Sequence, residues 1–160
     1  MTKEEAFNAA QFAYAAYDAF FDAVAQQVGR EQAMAIQNQA MLALGAAQGQ
    51  MMKAQAGIEV KDAETAYAVI SNAIAIIGIE TKLVESSPDK VVFKPGRCPI
   101  CEANQALGWD DATREAGCRS SSIPFMDAAV KQLNPKLSYR LTSFGAGQGD
   151  SCLEEIVLGD

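Results

Sequence analysis

The chain has 160 residues, 49% apolar and 21% charged, a composition typical of globular proteins and a length that buries a core without covalent staples. A net charge of −7 argues against nucleic acid binding, which requires a basic stripe, and disfavours anionic membrane surfaces. The absence of histidine excludes any mechanism that draws a base, nucleophile or metal ligand from imidazole within this chain.

The N-terminus, M-T-K-E-E, opens straight into a periodic helix and lacks a signal-peptide layout, so a cytoplasmic protein with reduced thiols is expected. Phe7, Ala10, Tyr14, Tyr17, Phe21, Val24 and Val28 recur at steps of three and four, which places them on one helical face. Thr2 followed by Glu5 fits a capping box, and Gly29 fits the stop. A second helix is predicted over 30–56, with Met34, Met41, Leu44 and Met51 as its buried stripe. Gly45 and Gly49 within it stand one turn apart and would let another backbone come close. Asp62 caps a third helix whose face carries Ala66, Val69, Ile70, Ala73, Ile74 and Ile77, ending at Gly78. The apolar run over 66–79 is interrupted by Ser71 and Asn72 and is too short to span a bilayer.

After Gly78 the pattern changes. Strands are predicted over 81–86 and 90–94 around a Ser87-Pro88-Asp89 turn, and Pro95-Gly96 then delivers the chain to Cys98. Helical segments follow over 98–107, from Asp110, and over 122–133, where Asn134-Pro135 stops the last. A second hairpin is predicted from strands over 137–144 and 151–158 around G-A-G-Q-G-D. The order of three helices, a hairpin, further helices and a second hairpin fits an α+β fold, an antiparallel sheet with segregated helices. One domain over 1–160 is expected, with a helical half over 1–79 and an αβ half over 80–160.

All four cysteines fall in the last third, in the layout C-x2-C-x16-C-x33-C: Cys98, Cys101, Cys118 and Cys152. Two thiols at i and i+3 beside a helix start can grip one ion, and the helix N-terminus favours the thiolate that ligation needs. Cys118 and Cys152 each sit beside a turn, so four thiolates would complete a tetrahedral zinc site, or hold an Fe–S cluster. A redox-active C-x-x-C and plain core thiols are the alternatives. Asp150 in G-Q-G-D-S-C and Glu102 are the candidate proton carriers, each with turn chemistry or a solvated helix face as its plainer reading. Arg97 and Arg119 flank two of the cysteines and are candidates to anchor a carboxylate, or else solvated surface arginines. The stripe Tyr14, Tyr17, Phe21 could line an apolar pocket or simply pack the core. The G-x-G-x-G of 145–149 lies between strands without the helix or lysine of a phosphate loop.

From Arg97 onward, R-C-P-I-C-E-A, E-A-G-C-R and the terminal G-D-S-C-L-E-E-I-V-L resemble the L-2-amino-thiazoline-4-carboxylic acid hydrolase family and the related 4-vinyl-reductase-type small-molecule-binding domains. The resemblance covers about the last 65 residues. It implies helices, hairpin, helices, hairpin in the fold of a vesicle-transport-particle subunit, and a cysteine-held metal beside a cavity for a hydrophobic or aromatic ligand. By that resemblance Cys98, Cys118 and Cys152 would be ligands and Cys101 the fourth candidate. The chain departs from the vinyl-reductase pattern where a further cysteine often stands about eight positions before the last; here the residue is Phe144.

Two functions follow as expectations. The first is a metal-thiolate protein binding a small organic ligand. The second is a metal-assisted hydrolase of a small thio- or heterocyclic acid, with Asp150 or Glu102 moving the proton and Arg97 or Arg119 holding the carboxylate. Four protein thiolates would leave zinc no open position for water, so catalysis would need one cysteine to stay free. A homodimer through the Ala-rich N-terminal helices is the expected assembly.

Overall fold

Local capping sets where the helices begin in the computed structural model, which describes residues 1–145 and 152–159. The Thr2 hydroxyl accepts the Glu5 N–H at 3.2 Å, and the Glu5 carboxylate accepts the Thr2 N–H at 2.7 Å. That reciprocal pair starts α1 (Lys3–Val28), and Gly29, at φ +87°, breaks it before α2 (Arg30–Ala56). Asp62 and Thr65 close a second capping box ahead of α3 (Ala63–Ala75). Four strands follow the same logic of alternation and turn: β1 (Thr81–Ser86), β2 (Lys90–Pro95), β3 (Leu137–Ser143) and β4 (Leu153–Leu158). Between the hairpins lie α4 (Pro99–Ala106), α5 (Asp111–Ser120) and α6 (Ser122–Leu133).

The strands form one antiparallel sheet in the order β1-β2-β4-β3, so the two hairpins meet through β2 and β4, with Val91 opposite Ile156. This is the α+β arrangement that the sequence pattern predicts. Alternation along β2 sends Val91 and Phe93 into a core completed by Ile70 of α3, Val130 of α6 and Ile156 of β4. Phe93 packs between Tyr67 (5.1 Å between centroids) and Tyr139 (6.0 Å). Full burial of such a ring contributes about 2–3 kcal/mol. Among the described residues, no helix is long and apolar enough to cross a membrane.

The face of α2 corrects one expectation. Leu44 and Met51 are exposed, while Gly45 and Met52, each one position on, are buried together with Gly49. The reason is steric. α2 lies against α6 so closely that a Cβ on Gly45 would stand 2.1 Å from the Phe125 carbonyl oxygen, and one on Gly49 would stand 2.4 Å from that of Ala129. The two glycines therefore select the buried face, and the long side chains flanking them are turned outward.

Candidate functional site

A cavity of about 990 Å³ runs between the helices and the sheet. Its apolar wall comes from Met41 and Met52 of α2, Ile74 of α3, and Phe125 and Met126 of α6. Its polar wall carries Tyr14 and Asp18 of α1, the first turn of α4, and Tyr139 and Glu154 of the second hairpin. All four cysteines line it, and all four are free thiols.

Cys98 is the N-cap of α4, with Pro99 in the first turn. The Cys101 thiol and the backbone N–H groups of Cys101 and Ile100 hold its pKa below the ordinary thiol value against the cost of burial. This is a helix N-terminus favouring a thiolate. Cys152, just before β4, meets the same Cys101 thiol. The Cys101 thiol, the Gly145 N–H at 3.5 Å and the charge of Arg114 bring it down to about 6. Cys101 is pushed strongly upward because its sulfur keeps the proton that its two neighbours draw on. One S–H can serve only one acceptor at a time, so Cys98 and Cys152 share it. Cys118 makes no such bond, and burial together with the charges of Glu154, Cys98 and Cys152 pushes its thiol up.

The three bonded thiols thus form a string with Cys101 in the middle rather than a ring about a common point. Among the described residues, no group of three Cys, Asp or Glu side chains is placed to hold a metal ion. The four-thiolate zinc or Fe–S expectation thus has no support among the described residues. Ligation would need Cys101 to give up its proton.

The other predicted residues separate. Arg97 and Glu102 line the cavity mouth but are locked together through paired bonds of 2.9 and 3.0 Å. Arg97 also reaches Glu4 at 3.3 Å and lies 4.2 Å over the Phe7 ring. Arg119 bonds Glu115 at 2.8 Å and the Leu141 carbonyl at 3.3 Å and is not a lining residue. Asp150 lies outside the described residues.

Two carboxyls that the sequence pattern did not single out stand in the polar wall. Glu154 accepts the Tyr139 hydroxyl, and burial and the Cys152 charge raise it to about 7. Asp18 is only 4% exposed and accepts the Asn104 amide at 2.6 Å; burial and the neighbouring Asp22 raise it to about 6. Each had a visible signal. Asp18 interrupts the apolar stripe between Tyr14 and Phe21, and Glu154 alternates in phase with buried Ile156.

The chain belongs to the L-2-amino-thiazoline-4-carboxylic acid hydrolase family, whose model matches residues 9–152. No curated protein sequence matches it. Among solved structures, it is similar to the phenol-responsive sensory domain of the transcription activator PoxR with phenol. The TM-score is 0.65 at 13% identity, over 91% of this chain and 74% of that one. It is also similar to trafficking protein particle complex subunit 3 from Naegleria fowleri covalently bound to palmitic acid. There the TM-score is 0.60 at 10% identity, over 93% and 96% of the two chains. At these identities the likeness shows a shared fold.

Proposed function

We propose that this member of the L-2-amino-thiazoline-4-carboxylic acid hydrolase family binds a small organic molecule in the central cavity, its apolar body against α2 and α6 and its polar end toward the thiols. The observation that carries this reading is the cavity itself. About 990 Å³, mostly apolar with a few convergent polar groups, is the size and character of small-molecule sites. The phenol and palmitic acid bound to the two similar structures agree with an apolar guest. Native mass spectrometry of gently purified protein and thermal shift with small phenols and five-membered heterocyclic acids test it. A retained small molecule or a dose-dependent rise in Tm is expected. Absence of both removes the reading.

The hydrolase reading is second, favoured by family membership and by a low-pKa thiol, Cys152, in the same wall as Glu154, a carboxyl poised near neutrality. In it Glu154 replaces Glu102, which Arg97 already holds, as the proton carrier. Incubation with 2-amino-thiazoline-4-carboxylate followed by NMR is the test; ring opening that Glu154→Gln abolishes is expected, and an intact ring counts against it.

Zinc on Cys98, Cys101, Cys118 and Cys152 is retained as a third proposal because all four line one cavity, although Cys101 would have to give up its proton. Elemental analysis of anaerobically purified protein is expected to find one zinc per chain that Cys118→Ser loses, and an absorption band near ~400 nm would mean Fe–S instead. Metal-free folded protein removes it. A cytoplasmic location, action as one domain and a homodimer through the N-terminal helices complete the proposal. Phe12 and Phe20 are exposed on α1, and light scattering at twice the chain mass is the expected result.

A further inference from the structure

Asp18 is a buried carboxylate with no cationic partner among the described residues. It lines the cavity from α1, beside Tyr14 and Asn104. Its Oδ2 atom takes the neutral Asn104 amide at 2.6 Å, while Oδ1 takes no hydrogen bond from any described residue. The arginines of the cavity wall and of the start of α2 are committed elsewhere. Arg30 holds Asp22 at 3.2 Å and lies 5.5 Å over Trp109. Arg97 holds Glu4 and Glu102, and Arg114 pairs with Asp111. Asp22, one turn along α1, is fully engaged as well, accepting the Trp109 indole N–H at 2.7 Å.

A carboxylate taken out of water is costly unless a cation or several donors meet it. Here one neutral donor meets one oxygen, and the side chain lines the cavity with its second oxygen unbonded among the described residues. Tyr14 feels the charges of both Asp18 and Cys98, so the carboxylate and the thiol string share one polar wall.

We propose that Asp18 anchors a protonated nitrogen, an amine or amidinium, of the molecule that occupies the cavity. The inference rests on the reading that the cavity takes a small organic ligand, and it narrows that ligand to a cationic class. A guest held at Asp18 extends past Tyr14 toward Cys98, with its apolar part against the methionines and Phe125. The charge-assisted bond exchanges an uncompensated buried carboxylate for a neutral pair, which is where the selectivity arises.

Isosteric probe pairs separate this inference from the reading beneath it. Benzamidine against benzamide, and 2-aminothiazoline against 2-methylthiazoline, are titrated by calorimetry into the wild-type chain, Asp18→Asn and Asp22→Asn, with unfolding midpoints measured in parallel. The wild type is expected to prefer the cationic member about ten-fold or more. Asp18→Asn should reduce that preference to near unity without changing affinity for the neutral member, and Asp22→Asn should keep it. Equal wild-type affinities for the two members overturn the anchor while leaving the cavity reading intact, whether or not the variants fold. A preference lost in Asp22→Asn and kept in Asp18→Asn also overturns it. If no member of either pair binds, the cavity reading falls and the anchor falls with it.

Discussion

Replacing Asp18 by Asn isolates the cost of burying its charge, because the amide keeps an oxygen for the Asn104 N–H and nearly the same shape. Burial and Asp22 raise the Asp18 pKa from 3.8 to about 6. Between those pH values the folded chain holds a proton that the unfolded chain has released, so stability falls as pH rises through the window. The contribution is fully present below about pH 4 and is gone above about pH 6 to 7. At about 1.4 kcal/mol per pH unit, the loss is at most about 3 kcal/mol. Asp18→Asn carries no proton to lose. It should match the wild type near pH 4 and exceed it by up to about 3 kcal/mol at pH 8. Urea melts at half-unit steps from pH 4 to 8 measure this. The single tryptophan is a local reporter, since Trp109 bonds Asp22 one turn from the substitution. A smaller fall should survive in the variant from about pH 4.5 to 6, because Glu154 is raised from 4.5 to about 7, while above about pH 6 the lowered Cys152 contributes with the opposite sign. A variant less stable than the wild type by the same amount at pH 4 and pH 8 would refute the reasoning. It would show that Asp18 acts as an uncharged strut between α1 and α4.

Gly45→Ala and Gly49→Ala should each cost more than about 3 kcal/mol or prevent folding, since the added carbon meets backbone of α6 that has nowhere to go. Gly57→Ala, at φ +63° with nothing within 4 Å, should cost only about 1 kcal/mol from backbone strain; thermal melts compare the three. Cys101→Ala removes the proton shared by Cys98 and Cys152. The pH midpoint of iodoacetamide labelling at Cys152 should therefore rise from about 6 toward the ordinary thiol value, read by peptide mass spectrometry. An unchanged midpoint would mean that the thiol string does not exist in solution. Tyr139→Phe withdraws the hydroxyl that favours ionised Glu154, so the carboxyl should titrate above about 7, observable by NMR of ¹³C-labelled glutamate.

What the sequence reveals about this molecule depends on how far apart the cooperating residues lie. Thr2 with Glu5, and Asp62 with Thr65, are neighbours three positions apart, so the starts of α1 and α3 follow from local chemistry. The gathering of the cysteines is legible only as a placement at the ends of elements. Their order as a string with the proton on Cys101 depends on the fold bringing the residue before β4 to the first turn of α4. The stripe of α2 misleads because hydropathy rewards Leu44 and Met51, whereas close backbone contact rewards the glycines beside them. Arg97 reads as a free anchor until the fold brings Glu4 to it from 93 positions away. Asp18 and Glu154 carry the sharper lesson. Each is a carboxylate placed in phase with buried residues of its own element, Phe21 in one case and Ile156 in the other. An exposed charge out of phase with the apolar face costs nothing, but one in phase must be desolvated when the element packs. Such a residue is retained against a cost of up to about 3 kcal/mol, and that cost directs attention to the cavity wall where both carboxyls stand, rather than to the exposed arginines.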